Sequence, residues 1–228
     1  MGYRLGAMTP TPSHPGLEFL IRGPAGQLEA LYHEPEGRDE PAAVAVVCHP
    51  HPAHGGNMHS TVAFRTARGL AAAGLACLRI NFRSVGASEG QYDGEGGEED
   101  DAQAALEWLA QKHPGAPWWA AGFSFGSRTV FGLAKKEPRI ARLVLVGFPL
   151  RMFELDRVDE LRQPTFFIWG DSDQYGTRRD LLEQYPVLPA HFDTHEIAGA
   201  DHFFKGHTQE LEQRVRAWAQ GQQTPKSR

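Results

Sequence analysis

The stretch GFSFG at Gly122–Gly126 decides the fold, because it fits the pattern G-x-S-x-G between a predicted strand and a predicted helix. The apolar run Trp118–Phe123 predicts the strand, and Phe125–Lys135 predicts the helix. In a nucleophile elbow the serine adopts a strained backbone conformation, and glycines on either side avoid collisions between strand and helix. A glycine-rich turn with an N-cap serine is the simpler alternative. The strand-to-helix context favours Ser124 as a nucleophile.

Outside this stretch, strand and helix patterns alternate along the chain. The strand patterns are Leu17–Arg22, Gln27–His33, Ala42–Cys48, Leu75–Phe82, Trp118–Phe123, Ile140–Phe148, Thr165–Gly170 and His191–Ile197. The helix patterns are His59–Ala73, Glu98–Lys112, Phe125–Lys135, Arg178–Gln184 and Thr208–Ala219. Continuous apolar strands are typical of parallel sheets that are covered on both faces. The alternation therefore predicts an α/β fold: a mostly parallel, twisted sheet of about eight strands, with an N-terminal antiparallel hairpin and helices on both faces.

The length of 228 residues suits a single domain, which we expect to span residues 17–220. Residues 1–16 and 221–228 have the composition of flexible ends. The net charge of −5 argues against nucleic acid as a partner. Cys48 and Cys77 lie in apolar runs, which favours buried thiols and a reducing cytoplasm. We find no secretory signal and no run of about 18 apolar residues, so the sequence gives no indication of a membrane partner.

The base and acid that would serve Ser124 are expected in later loops, because folds with this elbow order their triad as Ser, then Asp or Glu, then His. His202 follows a predicted strand and precedes the last helix, so it is the expected base. Asp171 and Asp173 both follow the strand Thr165–Gly170. We favour Asp173, which lies further into the loop, whereas Asp171 suits a turn-capping role. Such a triad would attack a carbonyl carbon and form an acyl-enzyme intermediate.

The oxyanion hole is predicted from two backbone N–H groups. One belongs to Phe125, directly after the serine. The other belongs to His51 by elimination, since Pro50 and Pro52 have no N–H group. Five aromatic residues near the site are candidates for an acyl pocket, and we expect at least half of them to be core residues instead. They are Phe123, Phe125, Phe148, Phe203 and Phe204, of which we favour Phe123, Phe203 and Phe204 as substrate contacts.

Two other functions are compatible with parts of the sequence. His49, His51 and His54 resemble the H-x-H-x-D-H zinc motif of metallo-β-lactamase-type enzymes, which would indicate a metal-dependent hydrolase. Ala53 stands where that motif needs an aspartate, so we expect no metal at this cluster. A non-catalytic binding protein on the same fold is the other alternative, although all three triad candidates occur in the expected order.

The order of four segments resembles the small, lidless α/β-hydrolases of the carboxylesterase type, akin to dienelactone hydrolases. The segments are His49–Ser60, Asn81–Ser88, Gly122–Gly126 and Ala200–Phe204. The resemblance extends from about Leu17 to Trp218 and implies an α/β-hydrolase fold without a cap domain. It also implies a triad of Ser124, Asp173 and His202, and its Gly-x-x-Asp pattern favours Asp173 over Asp171.

The same resemblance also carries implications for the substrate. Dienelactone hydrolases use a cysteine nucleophile, and Ser124 in its place argues against dienelactone itself. Only the sixteen residues Pro149–Pro164 separate two predicted strands where many relatives insert a cap. An open site suggests a small-molecule partner, namely a small or short-chain ester. No cofactor is implied, and the protein is expected to be a monomer or a small homo-oligomer, because the edge hairpin offers a pairing surface.

Overall fold

The computed structural model describes residues 18–92, 94, 96–153, 158 and 161–223. Its strands are β1 (Glu18–Gly23), β2 (Gly26–His33), β3 (Val44–Cys48), β4 (Ala76–Ile80), β5 (Trp118–Phe123), β6 (Ile140–Val146), β7 (Thr165–Gly170) and β8 (Phe192–Ile197). Its helices are α1 (Thr61–Ala72), α2 (Gly97–Lys112), α3 (Phe125–Lys136), α4 (Arg178–Gln184) and α5 (Thr208–Gln223). A short 3₁₀ turn spans Pro52–His54. The predicted strands all form, and their ends differ from the prediction by at most two residues.

The described strands form one sheet of eight, in the order β1-β2-β4-β3-β5-β6-β7-β8. Strand β2 pairs antiparallel with β1 and with β4. The other neighbours run parallel. The predicted mostly parallel sheet with an N-terminal antiparallel hairpin is therefore confirmed. Because β4 and β5 flank β3 on opposite sides, the connections after β3 diverge there, and ligand sites favour such points at the carboxyl ends of strands.

The core lies on both faces of the sheet. Along β3, Val44, Val46 and Cys48 join the cluster that packs against α2 and α3, whereas Ala45 and Val47 join the cluster that packs against α1 and α5. Successive strand side chains point to opposite faces. A strand covered on both sides must then be apolar throughout, which explains the unbroken run in the sequence.

The two cysteines are free and fully buried on neighbouring strands, as predicted. Burial raises the pKa of both the Cys48 and the Cys77 thiol well above its usual range. Both side chains therefore act as apolar core groups. Among the described helices, none has the length and apolar character that crossing a bilayer requires.

The predicted C-terminal tail is wrong in its first three residues. Helix α5 continues through Gly221 to Gln223, because Leu211, Val215 and Ala219 extend its buried stripe. The Gln223 side-chain amide also donates to the Ala73 carbonyl at 2.7 Å, which fixes the last turn against α1. The rest of the predicted tail, residues 224–228, and the predicted flexible segment 1–16 lie outside the described residues.

Helices α1 and α5 come into close contact at Gly69. A Cβ at Gly69 would lie 2.6 Å from the Glu212 carbonyl oxygen and 3.1 Å from Val215 Cβ. We expect Gly69→Ala to lower the free energy of unfolding by about 1–3 kcal/mol, because overpacking outweighs the gain in helix propensity. Gly221→Ala is the matched control, since no described atom lies within 4 Å of its new methyl group.

Urea unfolding followed by circular dichroism measures both variants. Gly221→Ala should raise the unfolding midpoint, by a gain of up to about 1 kcal/mol. A midpoint for Gly69→Ala at or above that of the wild type would contradict the packing argument.

Candidate active site

The elbow between β5 and α3 holds Ser124 in a conformation that side chains rarely adopt. Its φ is 55° and its ψ is −117°, which costs about 1–3 kcal/mol unless the surroundings enforce it. The surroundings do so through two close approaches. A Cβ at Gly122 would lie 2.2 Å from the Gly126 carbonyl carbon, and one at Gly126 would lie 2.4 Å from the Cys48 carbonyl oxygen. Both glycines are therefore required sterically, as the motif predicts.

The structure brings Ser124, His202 and Asp173 into one hydrogen-bonded line. His202 Nδ1 lies 2.7 Å from Asp173 Oδ2, and His202 Nε2 lies 3.0 Å from Ser124 Oγ. An ionised carboxylate only accepts hydrogen bonds, so the proton belongs on Nδ1 and Nε2 accepts from the serine hydroxyl. Both Asp173 and His202 are buried. The arrangement orients a base toward an alcohol nucleophile.

Further contacts fix the orientation of His202 and Asp173. The Tyr175 backbone N–H donates to Asp173 Oδ1 at 2.8 Å, which leaves Oδ2 directed at the histidine. The rings of Phe123 and Tyr175 pack against the His202 imidazole with centroids at 4.9 Å and 4.6 Å. Tyr175 was missed by the sequence reasoning, although it follows Asp173 by only two residues.

The other aspartates near the site cap turns. Asp171 Oδ1 accepts from the Gly199 N–H at 2.9 Å. Asp201 Oδ1 accepts from the N–H groups of Phe203 and Lys205, at 3.1 Å and 3.0 Å. Both carboxylates thus shape the loops that carry Asp173 and His202, as expected for aspartates in turns.

The two N–H groups predicted for the oxyanion hole lie in loops that begin side by side. Cys48 pairs with Gly122 in the parallel register of β3 and β5, and His51 and Phe125 each follow three residues later. The rings of His51 and Phe125 lie 4.8 Å apart. Within the described part of the chain, neither N–H group donates to an acceptor. Phe125 also opens α3, where the helix dipole favours negative charge.

Strand β4 and the residue after it hold the loop that carries His51. Asn81 Oδ1 accepts from the Met58 N–H at 2.7 Å, and Arg79 Nη1 donates to the Met58 carbonyl at 2.5 Å. Arg79 is fully buried, and burial lowers its pKa to about 10. The sequence reasoning missed both residues. The available signal was an arginine inside the otherwise apolar strand β4.

The histidine cluster His49, His51 and His54 is not arranged as a metal site. The Phe82 N–H donates to His49 Nε2 at 3.1 Å, so Nδ1 carries the proton and donates to the Pro50 carbonyl at 2.6 Å. Both ring nitrogens of His49 are thereby occupied, and burial lowers its pKa to about 4. Among the described residues, no group of three or more His, Cys, Asp or Glu side chains is placed to hold a metal ion.

The aromatic residues near the site divide between core and surface. Phe123, Phe125, Phe148 and Phe204 are buried, in line with the expectation that most are core. Phe203 is 57% exposed, and its ring lies 5.3 Å from that of His202. The predicted substrate contacts at Phe123 and Phe204 do not fit their placement, because both side chains are buried in the core on the α1 and α5 side.

Comparison with known proteins agrees with this geometry. A family model described as the alpha/beta hydrolase domain matches residues 43–224. An uncharacterized protein of Rickettsia prowazekii, RP471, is 33% identical over 207 residues, which cover 87% of this chain and 86% of that protein. Its length is therefore close to that of this chain.

Two solved structures share both the fold and part of the sequence. An alpha-beta serine hydrolase homologue from Coxiella burnetii superposes with a TM-score of 0.80 at 33% identity, and the match covers 88% of this chain and 96% of that one. A serine hydrolase without a lid from Xanthomonas campestris gives a TM-score of 0.82 at 27% identity, with coverage of 96% and 99%. This chain belongs to the α/β-hydrolase family and is similar to its lidless serine hydrolases.

Proposed function

We propose that this protein is a carboxylesterase-type serine hydrolase that cleaves small or short-chain esters through an acyl-enzyme. The observation that carries the proposal is the line of hydrogen bonds from Ser124 Oγ through His202 to Asp173. The relatives described as serine hydrolases support the hydrolase class. The substrate class is our inference from the open site.

The proposed reaction begins when Ser124 Oγ attacks the ester carbonyl carbon and His202 Nε2 takes the hydroxyl proton. The carbonyl oxygen becomes an oxyanion, which the N–H groups of Phe125 and His51 stabilise. The C–O bond to the alcohol breaks, and His202 returns the proton to the leaving oxygen. Water then attacks the acyl-enzyme by the same route and releases the acid. Asp173 holds the imidazole in the required tautomer and stabilises its cation throughout.

The preference for short esters follows from the way the site opens to solvent. Ser124 is half-buried, and the exposed ring of Phe203 lies 5.3 Å from the ring of its hydrogen-bond partner His202. The sixteen residues Pro149–Pro164 are too few for a helical cap. Without a cap, long acyl chains gain little apolar burial, since affinity in a pocket grows with the ligand surface that it covers.

Hydrolysis of p-nitrophenyl esters tests the nucleophile and the chain length together. We expect kcat/KM to fall from the acetate and butyrate to the dodecanoate. We expect Ser124→Ala to lower kcat by at least about 10⁴-fold, because no other nucleophile stands at the elbow. Ser172→Ala is the matched control, since this exposed hydroxyl donates to Asp171 and to no other described residue. Activity that persists in Ser124→Ala and disappears with a chelator would contradict the proposal.

A second pair of variants tests which aspartate orients the histidine. Asp173→Asn should lower kcat by about 10⁴-fold while KM changes little, because the amide favours the wrong imidazole tautomer. Asp171→Asn removes the same charge two residues away and should keep kcat within about tenfold of the wild type, since its oxygen only caps a turn. Steady-state kinetics, with circular dichroism as the check on folding, measures both. A larger loss from Asp171→Asn would reverse the assignment.

A further inference from the structure

One cation lies close to the nucleophile and, in the part of the chain that the structure describes, has no acidic partner. Arg128 lies in the first turn of α3, four residues after Ser124, which precedes the helix with a non-helical backbone; the rise between the two residues is about 6 Å. Among the described residues it forms no ion pair with a carboxylate. Most surface arginines and lysines either pair with a carboxylate or extend into solvent. Arg128 instead makes a defined contact with an uncharged side chain.

That contact is with an aromatic ring. The guanidinium carbon of Arg128 lies 4.3 Å from the centroid of Phe153, a close cation–π distance. Phe153 follows β6, on the same edge of the sheet as the triad loops. Stacking restricts the long side chain but leaves the N–H groups at the rim of the guanidinium available, since the ring faces only one side of its plane.

Arg128 shares a cavity with Phe125, the residue that directly follows Ser124, although Ser124 itself does not line it. The cavity has a volume of about 330 Å³, and its lining includes Phe125, Arg128, Thr129 and Phe148. Phe125 is the residue whose N–H is proposed to bind the oxyanion. The apolar rings of Phe125 and Phe148, together with the guanidinium of Arg128, suit an acyl chain that carries a negative charge.

The other charged side chains known to line this cavity, all among the described residues, make contacts of their own. Glu99 pairs with Lys136 at 2.8 Å. Glu98 is buried and lies close enough to Arg83 to help raise the pKa of that guanidinium, whose main partner is Asp101. Lys135 lies over the Phe131 ring, about 10 Å of helix rise beyond Arg128. Arg128 is therefore the cation at the end nearest the nucleophile.

The positive charge of Arg128 acts on His51, whose N–H group is proposed to form part of the oxyanion hole. The pKa of His51 is lowered mainly by burial, then by the charges of His54 and Arg128. The N-terminus of α3 adds its own positive potential beside Ser124. The two contributions have the same sign, and both favour a substrate with negative charge near the scissile carbonyl.

We propose that Arg128 makes this site selective for esters whose acyl chain ends in a carboxylate. The inference rests on the proposed ester hydrolysis at Ser124 and names its substrate class. Acyl groups of the succinyl and glutaryl type place two or three methylenes between the ester carbonyl and the second carboxyl. That spacing matches the rise of about 6 Å between Ser124 and Arg128, given the reach of the arginine side chain. The guanidinium donates two parallel hydrogen bonds to such a carboxylate.

The test compares mono-p-nitrophenyl glutarate with p-nitrophenyl pentanoate, which has the same chain length without the charge. For the wild type, we expect the higher kcat/KM with the glutarate, and 0.5 M NaCl should reduce this preference. In Arg128→Gln the ratio of the two kcat/KM values should fall about tenfold or more, mainly through KM for the glutarate. Arg128→Lys should restore part of the ratio, because it keeps the charge and loses the bidentate geometry.

Arg216→Gln is the control, since it removes the same charge from the exposed face of α5. An equal fall of kcat/KM for both esters in Arg128→Gln would overturn the selectivity, and so would the same change of ratio in Arg216→Gln. Hydrolysis of the pentanoate without any preference for charge in the wild type would overturn the selectivity alone. Failure to hydrolyse either ester would overturn the proposed ester hydrolysis as well.

Discussion

The close approach of three backbone segments at Gly126 is the constraint on which the rest of the site depends. A Cβ at this position would lie within 2.6 Å of carbonyl oxygens on both Cys48 and His49. The end of β3, the elbow and the start of α3 are thereby pressed together without side chains between them. The strained serine and the two N–H groups proposed for the oxyanion hole all belong to these segments. Their relative positions are set by backbone contact, which is stiffer than contact through side chains.

Arg79 on strand β4 gives the loop that carries His51 a second support, and its burial has a cost in free energy. Arg79 holds the Met58 carbonyl and also donates to His33 Nε2 at 2.8 Å, yet its Nη2 has no hydrogen-bond partner in the described part of the protein. Burying a guanidinium without a carboxylate is unfavourable. The fold accepts this cost where the loop that carries His51 must stay in place. A protein without a lid has no closing segment to order that loop when substrate arrives, so the loop must be ordered beforehand.

The sequence predicted the strands well, because apolar runs of five or six residues between glycine-rich turns leave few alternatives. Asp173 was chosen over Asp171 partly through a family resemblance, since the two lie on one loop and local pattern hardly separates them. Phe203 and Phe204 show the limit of such reasoning. Phe204 has a φ of 53°, and this single left-handed residue turns one ring to the core and its neighbour to solvent. Arg79 was missed because its partners lie 21 and 46 residues away along the chain.

The chain order of the site has a consequence for biosynthesis. Ser124 and His202 are separated by 78 residues, and α5, which packs against α1, comes later still. At roughly 5–20 residues per second, a ribosome needs about 4–16 s to extend the chain from the serine to the histidine. During that interval the nascent chain carries the Ser124 hydroxyl without its proposed base. The proposed triad is therefore complete only after β8 and the loop of His202 have been synthesised.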